Sequence, residues 1–99
     1  MHYSVYILYS KKLNRFYVGE TKHLEIRLVQ HNKGESQYTS VGIPWTLIWS
    51  TSKPTRFAAK TLEQKIKHLS RIRKVNFILK YEEGIRNIDL TEEIKCRVK

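Results

Sequence analysis

The chain holds a single cysteine, Cys96, set near the C-terminus between Lys95 and Arg97. Without a second thiol, an intramolecular disulfide framework and a multi-cysteine zinc site are both excluded, and Cys96 offers no catalytic nucleophile pattern. No apolar run approaches the roughly 18 consecutive residues that a membrane-spanning helix needs. The start, Met1-His2-Tyr3-Ser4, lacks the basic flank and apolar core of a secretory signal, so a cytoplasmic protein with no membrane partner is expected. A Gly-rich phosphate loop, a metalloprotease helix motif, an internal repeat and a low-complexity linker are also missing. Acidic residues are scarce, 9 against 19 Lys and Arg, which leaves a formal net charge of +10. Such an excess attracts polyanions, nucleic acid foremost. Charge governs association and solubility and not fold, so composition alone does not separate a nuclease from a binder.

At 99 residues, 40% hydrophobic and 28% charged, the chain has the make-up of one globular domain. Its length suffices to bury about two-thirds of the unfolded surface without staples. Tyr3 to Tyr9 is β-branched and aromatic and reads as a buried strand. A polar turn containing Asn14 leads to a second strand over Arg15 to Gly19, which makes a hairpin. Thr21 is placed to cap a helix carrying Leu24 and Leu28 and ending at Gly34. The polar stretch from Glu35 to Pro44 is expected to be an exposed loop, followed by a strand from Trp45 to Thr51.

Thr55 then caps a helix with Ala58, Ala59, Leu62, Ile66 and Leu69 as its apolar stripe. Ser70 to Tyr81 reads as another helix, with Ile72, Val75, Ile78 and Leu79 inward, Arg71, Arg73 and Lys74 exposed, and Gly84 as its end. The order is β-β-α-β-α-α, an α+β domain with a small antiparallel sheet flanked by helices over residues 1–84. Residues 85–99 read as a tail, either loose or a short helix near Thr91-Glu92-Glu93.

Tyr6 and Tyr17 fall on the two hairpin strands, and Gly19 follows at a point where a backbone without Cβ can approach a neighbour closely. Arg27 and His31 are four apart and share one face of the first helix. Glu63 borders the Leu62-Ile66 stripe. Taken singly, the tyrosines would be core aromatics, Arg27 and His31 a solvated face, and Glu63 a carboxylate paired with Lys60 or Lys67. Trp45 and Trp49 read as core before they read as base-stacking residues.

Taken in order, Val5-Tyr6-Ile7, Tyr17-Val18-Gly19, Arg27, His31 and Glu63 resemble the signature of the GIY-YIG nuclease superfamily. The likeness spans roughly residues 3 to 80 and is nearest to the small stand-alone bacterial group (UPF0213-like). The N-terminal nuclease domain of the bacterial repair excinuclease is also similar. His31-Asn32-Lys33-Gly34, Pro44-Trp45-Thr46-Leu47 and Glu63 to Lys67 add to it. Ser4 departs from the pattern where a glycine is usual, Glu20 stands where the excinuclease relatives carry lysine, with Lys22 two residues on, and only Asn76 offers a match to a late asparagine.

The resemblance implies a three-stranded antiparallel sheet with helices around it and hydrolysis of DNA, in preference to RNA, without a covalent intermediate. It implies a setting such as DNA repair or recombination. One Mg²⁺ or Mn²⁺ ion would be held by Glu63, the kind of site where a single carboxylate leaves most coordination to water. Tyr6 and Tyr17 would line the site and one would orient or deprotonate the attacking water. A free phenol has pKa near 10, so that role needs nearby positive charge, which Arg27 supplies while gripping the phosphate. His31 would bind phosphate or relay a proton. Lys22, Lys65, Lys67, Arg71, Arg73 and Lys74 are the expected nucleic-acid contacts. The expected state is a monomer, with a targeting partner protein to supply whatever selectivity so small a domain lacks.

Overall fold

The computed structural model of the chain describes residues 2–98. Three strands form one sheet: β1 (Tyr3–Ser10), β2 (Arg15–Thr21) and β3 (Trp45–Lys53), in the order β2-β1-β3. Both pairings are antiparallel, as the hairpin composition requires. Among the described residues, four α-helices surround the sheet: α1 (Leu24–Asn32), α2 (Arg56–Lys67), α3 (Arg71–Lys80) and α4 (Ile88–Val98). Single 3-10 turns lie at Ser40–Gly42 and Glu82–Gly84. The α+β class and the β-β-α-β-α-α order are those expected from the sequence, with α4 added.

β1 is central, which explains its continuous apolarity: Val5 to Ser10 are all buried. Its odd positions Val5, Ile7 and Tyr9 join Ala59 and Ile66 of α2, Val75 and Ile78 of α3, and Leu90 and Ile94 of α4 in the main core. The even positions Tyr6 and Leu8 face the other way, toward Trp45, Tyr17, Leu24 and Leu28. Ile7 pairs with Trp49 and Leu8 with Leu47, so Ile48 is an extra residue in β3. This bulge lets Ile48 and Trp49 both enter the main core.

Several local expectations are corrected. Thr21 does not cap α1; it extends β2 opposite Ser4, and its Oγ1 accepts from the amide of His23, which holds the N-cap position. A β-branched residue that can continue a ladder does so. Thr55 and Ser70 do cap α2 and α3, accepting from the amides of Ala58 and Arg73, and Gly34 stops α1 with φ of 78°. Ile72 is exposed; Phe77 packs in its stead, edge-on to Trp49 at 5.1 Å.

Of the two alternatives for the C-terminal segment, residues 85–97 take the helical one and are no loose tail. Ile85 bridges to Trp49, the Asn87 side chain accepts from the Leu90 amide, and three turns of helix place Leu90 and Ile94 in the core. The 35–44 segment is likewise more than an exposed loop, because Thr39 is fully buried within it. The Asn32 side chain clasps the Trp45 backbone, accepting at 2.6 Å and donating at 3.0 Å, while the Trp45 indole donates to the Thr39 carbonyl. Those bonds pin the loop between the end of α1 and the start of β3.

Candidate active site

Tyr6 and Gly19 are cross-strand partners, and the Tyr6 ring lies against the bare Gly19 backbone. A Cβ at Gly19 would stand 2.5 Å from the Tyr6 hydroxyl and 2.7 Å from Cζ. Both atoms are held in the core, so no flexible tip can give way. Glycine at this position is therefore what allows the Tyr6 ring its place. Tyr17, two residues earlier on the same strand face, has its ring centroid 6.3 Å from Tyr6.

His31, in the last turn of α1, is fully buried with its ring 4.9 Å from that of Tyr17. Its Nε2 lies 3.1 Å from the Tyr6 hydroxyl and its Nδ1 2.9 Å from Thr39 Oγ1. The Thr39 hydroxyl itself points at the Ser36 carbonyl, a weak bond at 3.5 Å. Assigning the Thr39 hydrogen to the Ser36 carbonyl sets one direction along the chain, in which Tyr6 donates to Nε2 and the Nδ1 hydrogen goes to Thr39. Burial holds the imidazole below its ordinary pKa, and the Arg27 charge acts in the same sense, so His31 is neutral at neutral pH.

Burial likewise pushes the Tyr6 phenol up to about 12, with Tyr17 and Glu63 adding to the rise and Arg27 opposing it. Arg27 and Glu63 thus both sit within electrostatic reach of the Tyr6 hydroxyl, from α1 and α2 respectively. Arg27 is half-buried and donates to the Gln30 side chain at 3.2 Å. It borders a cleft of about 340 Å³ shared with Lys22 and Arg56. Tyr17 is partly exposed and borders a groove of about 710 Å³, whereas Tyr6 is only 1% exposed.

Glu63 is buried to 7% exposure; its Oε2 lies 3.7 Å from the Lys67 ammonium and its Oε1 accepts a long bond from Gln64. Among the described residues no three His, Cys, Asp or Glu side chains converge. A site built on this one carboxylate suits a small oxygen-loving ion that keeps most of its waters, and Lys67, being exposed, can swing aside. The donor set therefore fits a single Mg²⁺ or Mn²⁺ ion.

The predicted nucleic-acid contacts disperse. Lys22 is exposed and lies over the Tyr3 ring. Lys65 borders a separate cleft with Trp49 and Tyr81. Arg71 is not free, as the sequence had suggested: its guanidinium bonds to the Asn14 backbone and side chain and covers the Phe16 ring. Lys74 donates to the Leu69 carbonyl at 2.7 Å and to Lys67 at 3.4 Å, which caps the end of α2, and burial lowers its pKa. Arg73 is exposed on α3, as is Asn76. Lys67 and Lys74 both reach the Tyr17 groove. Trp45 and Trp49 are buried core residues, 6% and 3% exposed.

Sequence reasoning missed the part played by Thr39 and, though it singled out Glu20, missed what Glu20 pairs with. Thr39 sits in a polar loop with no periodicity, and nothing in the chain marks it as the partner of His31. The Oε1 of Glu20 is bound by Arg56 at 3.0 Å and Lys60 at 3.5 Å, while its buried Oε2 has no partner. Two cations from α2 thus offset the acid, so the cleft beside Arg27 stays basic despite it. An α2 lysine paired with a β2 acid is visible only once the strand is laid on the helix.

A tyrosine pair on an antiparallel hairpin, with an arginine and a histidine on the next helix and a glutamate on the one after, is the layout of a nuclease domain class. A sequence profile of the GIY-YIG catalytic domain matches residues 2–76, and the chain belongs to the GIY-YIG family. It is 33% identical over 78 residues to UPF0213 protein VPA1222 of Vibrio parahaemolyticus, covering 78% of this chain and 73% of that protein. A 33% identity over 78 residues also links it to UPF0213 protein SSP2268 of Staphylococcus saprophyticus, with 78% and 93% covered. The solution NMR structure of UPF0213 protein BH0048 from Bacillus halodurans is similar in fold, with a TM-score of 0.55 at 30% identity, over 82% of this chain and 86% of that one. Family membership implies a nucleic-acid substrate. Among the described residues, no helix is long and apolar enough to cross a membrane.

Proposed function

We propose that this protein is an endonuclease that hydrolyses phosphodiester bonds in DNA, using one Mg²⁺ or Mn²⁺ ion on Glu63. The observation that carries the reading is the bond between the Tyr6 hydroxyl and His31 Nε2, set within reach of both Arg27 and Glu63. The charges of Arg27 on α1 and Glu63 on α2 thus both bear on the Tyr6 hydroxyl of β1.

The difference in burial between the two tyrosines supports different roles for them. Tyr6 is raised to about 12 and His31 lowered, so the proton stays on the phenol and Tyr6 acts as a positioning group. Tyr17, at the groove, is the phenol that meets the substrate and orients the attacking water. The Arg27 guanidinium matches a phosphate's oxygens in a bidentate way and stabilises the extra negative charge of the transition state. Glu63 would hold the metal ion, which when bound would supply Lewis-acid polarisation of the phosphoryl oxygen.

Incubation with plasmid, linear and branched DNA in Mg²⁺ or Mn²⁺ is the test. Cleavage by the wild type and none by Glu63→Ala supports the reading; no cleavage, or cleavage indifferent to that change, rejects it. A second reading, a nucleic-acid-binding module with feeble catalysis, is favoured by the Lys67 ammonium already beside Glu63. That reading predicts metal-independent binding to duplex DNA with a salt slope of about −0.9 per phosphate neutralised.

A further inference from the structure

The groove that Tyr17 borders continues away from the tyrosine cluster toward the pinned 35–44 loop. Its volume of about 710 Å³ lies within the range of roughly 300–1,000 Å³ in which small-ligand sites fall. Arg15, Lys67 and Lys74 line it and no carboxylate does. Tyr38 and Val41 border it from the loop, and both are exposed, Tyr38 to 90% and Val41 to 61%. A single exposed aromatic is ordinary. This one differs in its mounting, because the next residue, Thr39, is buried and bonded to both His31 and Trp45. The backbone beneath the Tyr38 ring is therefore held still, and presenting the ring to a ligand costs little ordering.

We propose that this groove is a subsite for one unpaired nucleotide of a DNA strand beside the phosphate to be cut, with the Tyr38 ring stacking on its base and Arg15 and Lys67 meeting the flanking backbone. The inference rests on the nuclease reading and names the substrate feature that the same site selects. A base inside a duplex has its faces covered by neighbouring bases, so an aromatic ring stacks on it only once it has left the helix. The cationic lining fits a polyanion, and continuity with Tyr17 and with Lys67, the neighbour of Glu63, places the nucleotide next to the reacting phosphate.

The test uses the full chain in metal-free buffer, where binding is read without cleavage. The probes are a short single strand carrying 2-aminopurine and the matched duplex. The wild type is expected to quench 2-aminopurine emission on the single strand. Tyr38→Ala should remove that quench and weaken single-strand binding about tenfold, a loss in the range of one base–aromatic stack. Tyr38→Trp should keep both, and duplex binding should not change. At 90% exposure Tyr38 contributes little to folding, and an unchanged melting curve for Tyr38→Ala confirms it. Wild-type affinity and quenching in Tyr38→Ala would overturn the subsite, as would equal losses on both probes. A chain that quenches the probe yet cuts nothing in Mg²⁺ retains the subsite and loses the nuclease; one that cuts with Tyr38 irrelevant does the reverse.

Discussion

The Tyr6 hydroxyl and His31 Nε2 meet at 3.1 Å inside the domain, with Thr39 on the far nitrogen of the imidazole. That arrangement makes the imidazole a neutral, doubly anchored ring, and protonating it would put a second donor against a phenol that already donates. Its folded pKa lies below the ordinary 6.5. The unfolded chain therefore binds the proton more tightly, so the stabilisation is complete above pH 6.5 and is lost as pH falls through the folded value. Thermal melts from pH 8 to pH 5 should show the wild type losing stability on acidification more steeply than His31→Gln. Parallel curves would show that burial does not set the charge of His31.

Gly19→Ala should destabilise the domain although alanine is otherwise a mild change. The new methyl would sit 2.5 Å from Tyr6 Oη, and overpacking of a closed core costs about 1–3 kcal/mol. Tyr6→Phe removes the nearest atom but leaves Cζ at 2.7 Å, so the double variant should recover only part of the loss. Urea unfolding of the two single variants and the double one measures the coupling; simple additivity would mean that the ring and the glycine are not in conflict.

Thr39→Val should cost about 1–3 kcal/mol, because it leaves the buried Nδ1 hydrogen of His31 without an acceptor. Thr39→Ser should restore it. If the nuclease reading holds, kcat should fall in Thr39→Val with KM little changed, since Thr39 is buried and acts through His31 and not on the substrate. A rise in KM with kcat intact would assign Thr39 to binding.

These residues also show what the chain discloses unaided. Tyr6, Tyr17, Arg27 and Glu63 stand out in the chain only through the order they share with the GIY-YIG signature, because periodicity alone reads them as core aromatics, a solvated helix face and a surface carboxylate. β1 was legible as a buried strand because a central position leaves no face for polar residues. Thr39 was not, since its role depends on the loop folding back under α1, a contact eight residues away that no period encodes. Arg71 and Lys74 looked like phosphate ligands because a basic residue at a helix start looks the same whether it grips DNA, a turn or a neighbouring helix end. Tertiary contact, not composition, decides among those.

The C-terminal segment provides the sharpest stability test, because a loose tail and a core helix predict opposite results. Ile94 is 2% exposed and packs in the main cluster with Leu90, and the Lys11 ammonium reaches Glu93 from the hairpin turn at 3.2 Å. That ion pair is largely solvated and adds little, so the burial of the two aliphatic side chains must dominate. Truncating a fully buried isoleucine to alanine costs about 2–5 kcal/mol, a large share of the roughly 5–15 kcal/mol that holds a domain folded. Ile94→Ala should accordingly lower the urea midpoint markedly, whereas Glu92→Ala on the exposed side of the same helix should leave it nearly unchanged. Equal and negligible effects from the two substitutions would detach α4 from the folding unit, and would leave the face formed by Ile78 and Trp49 needing another cover.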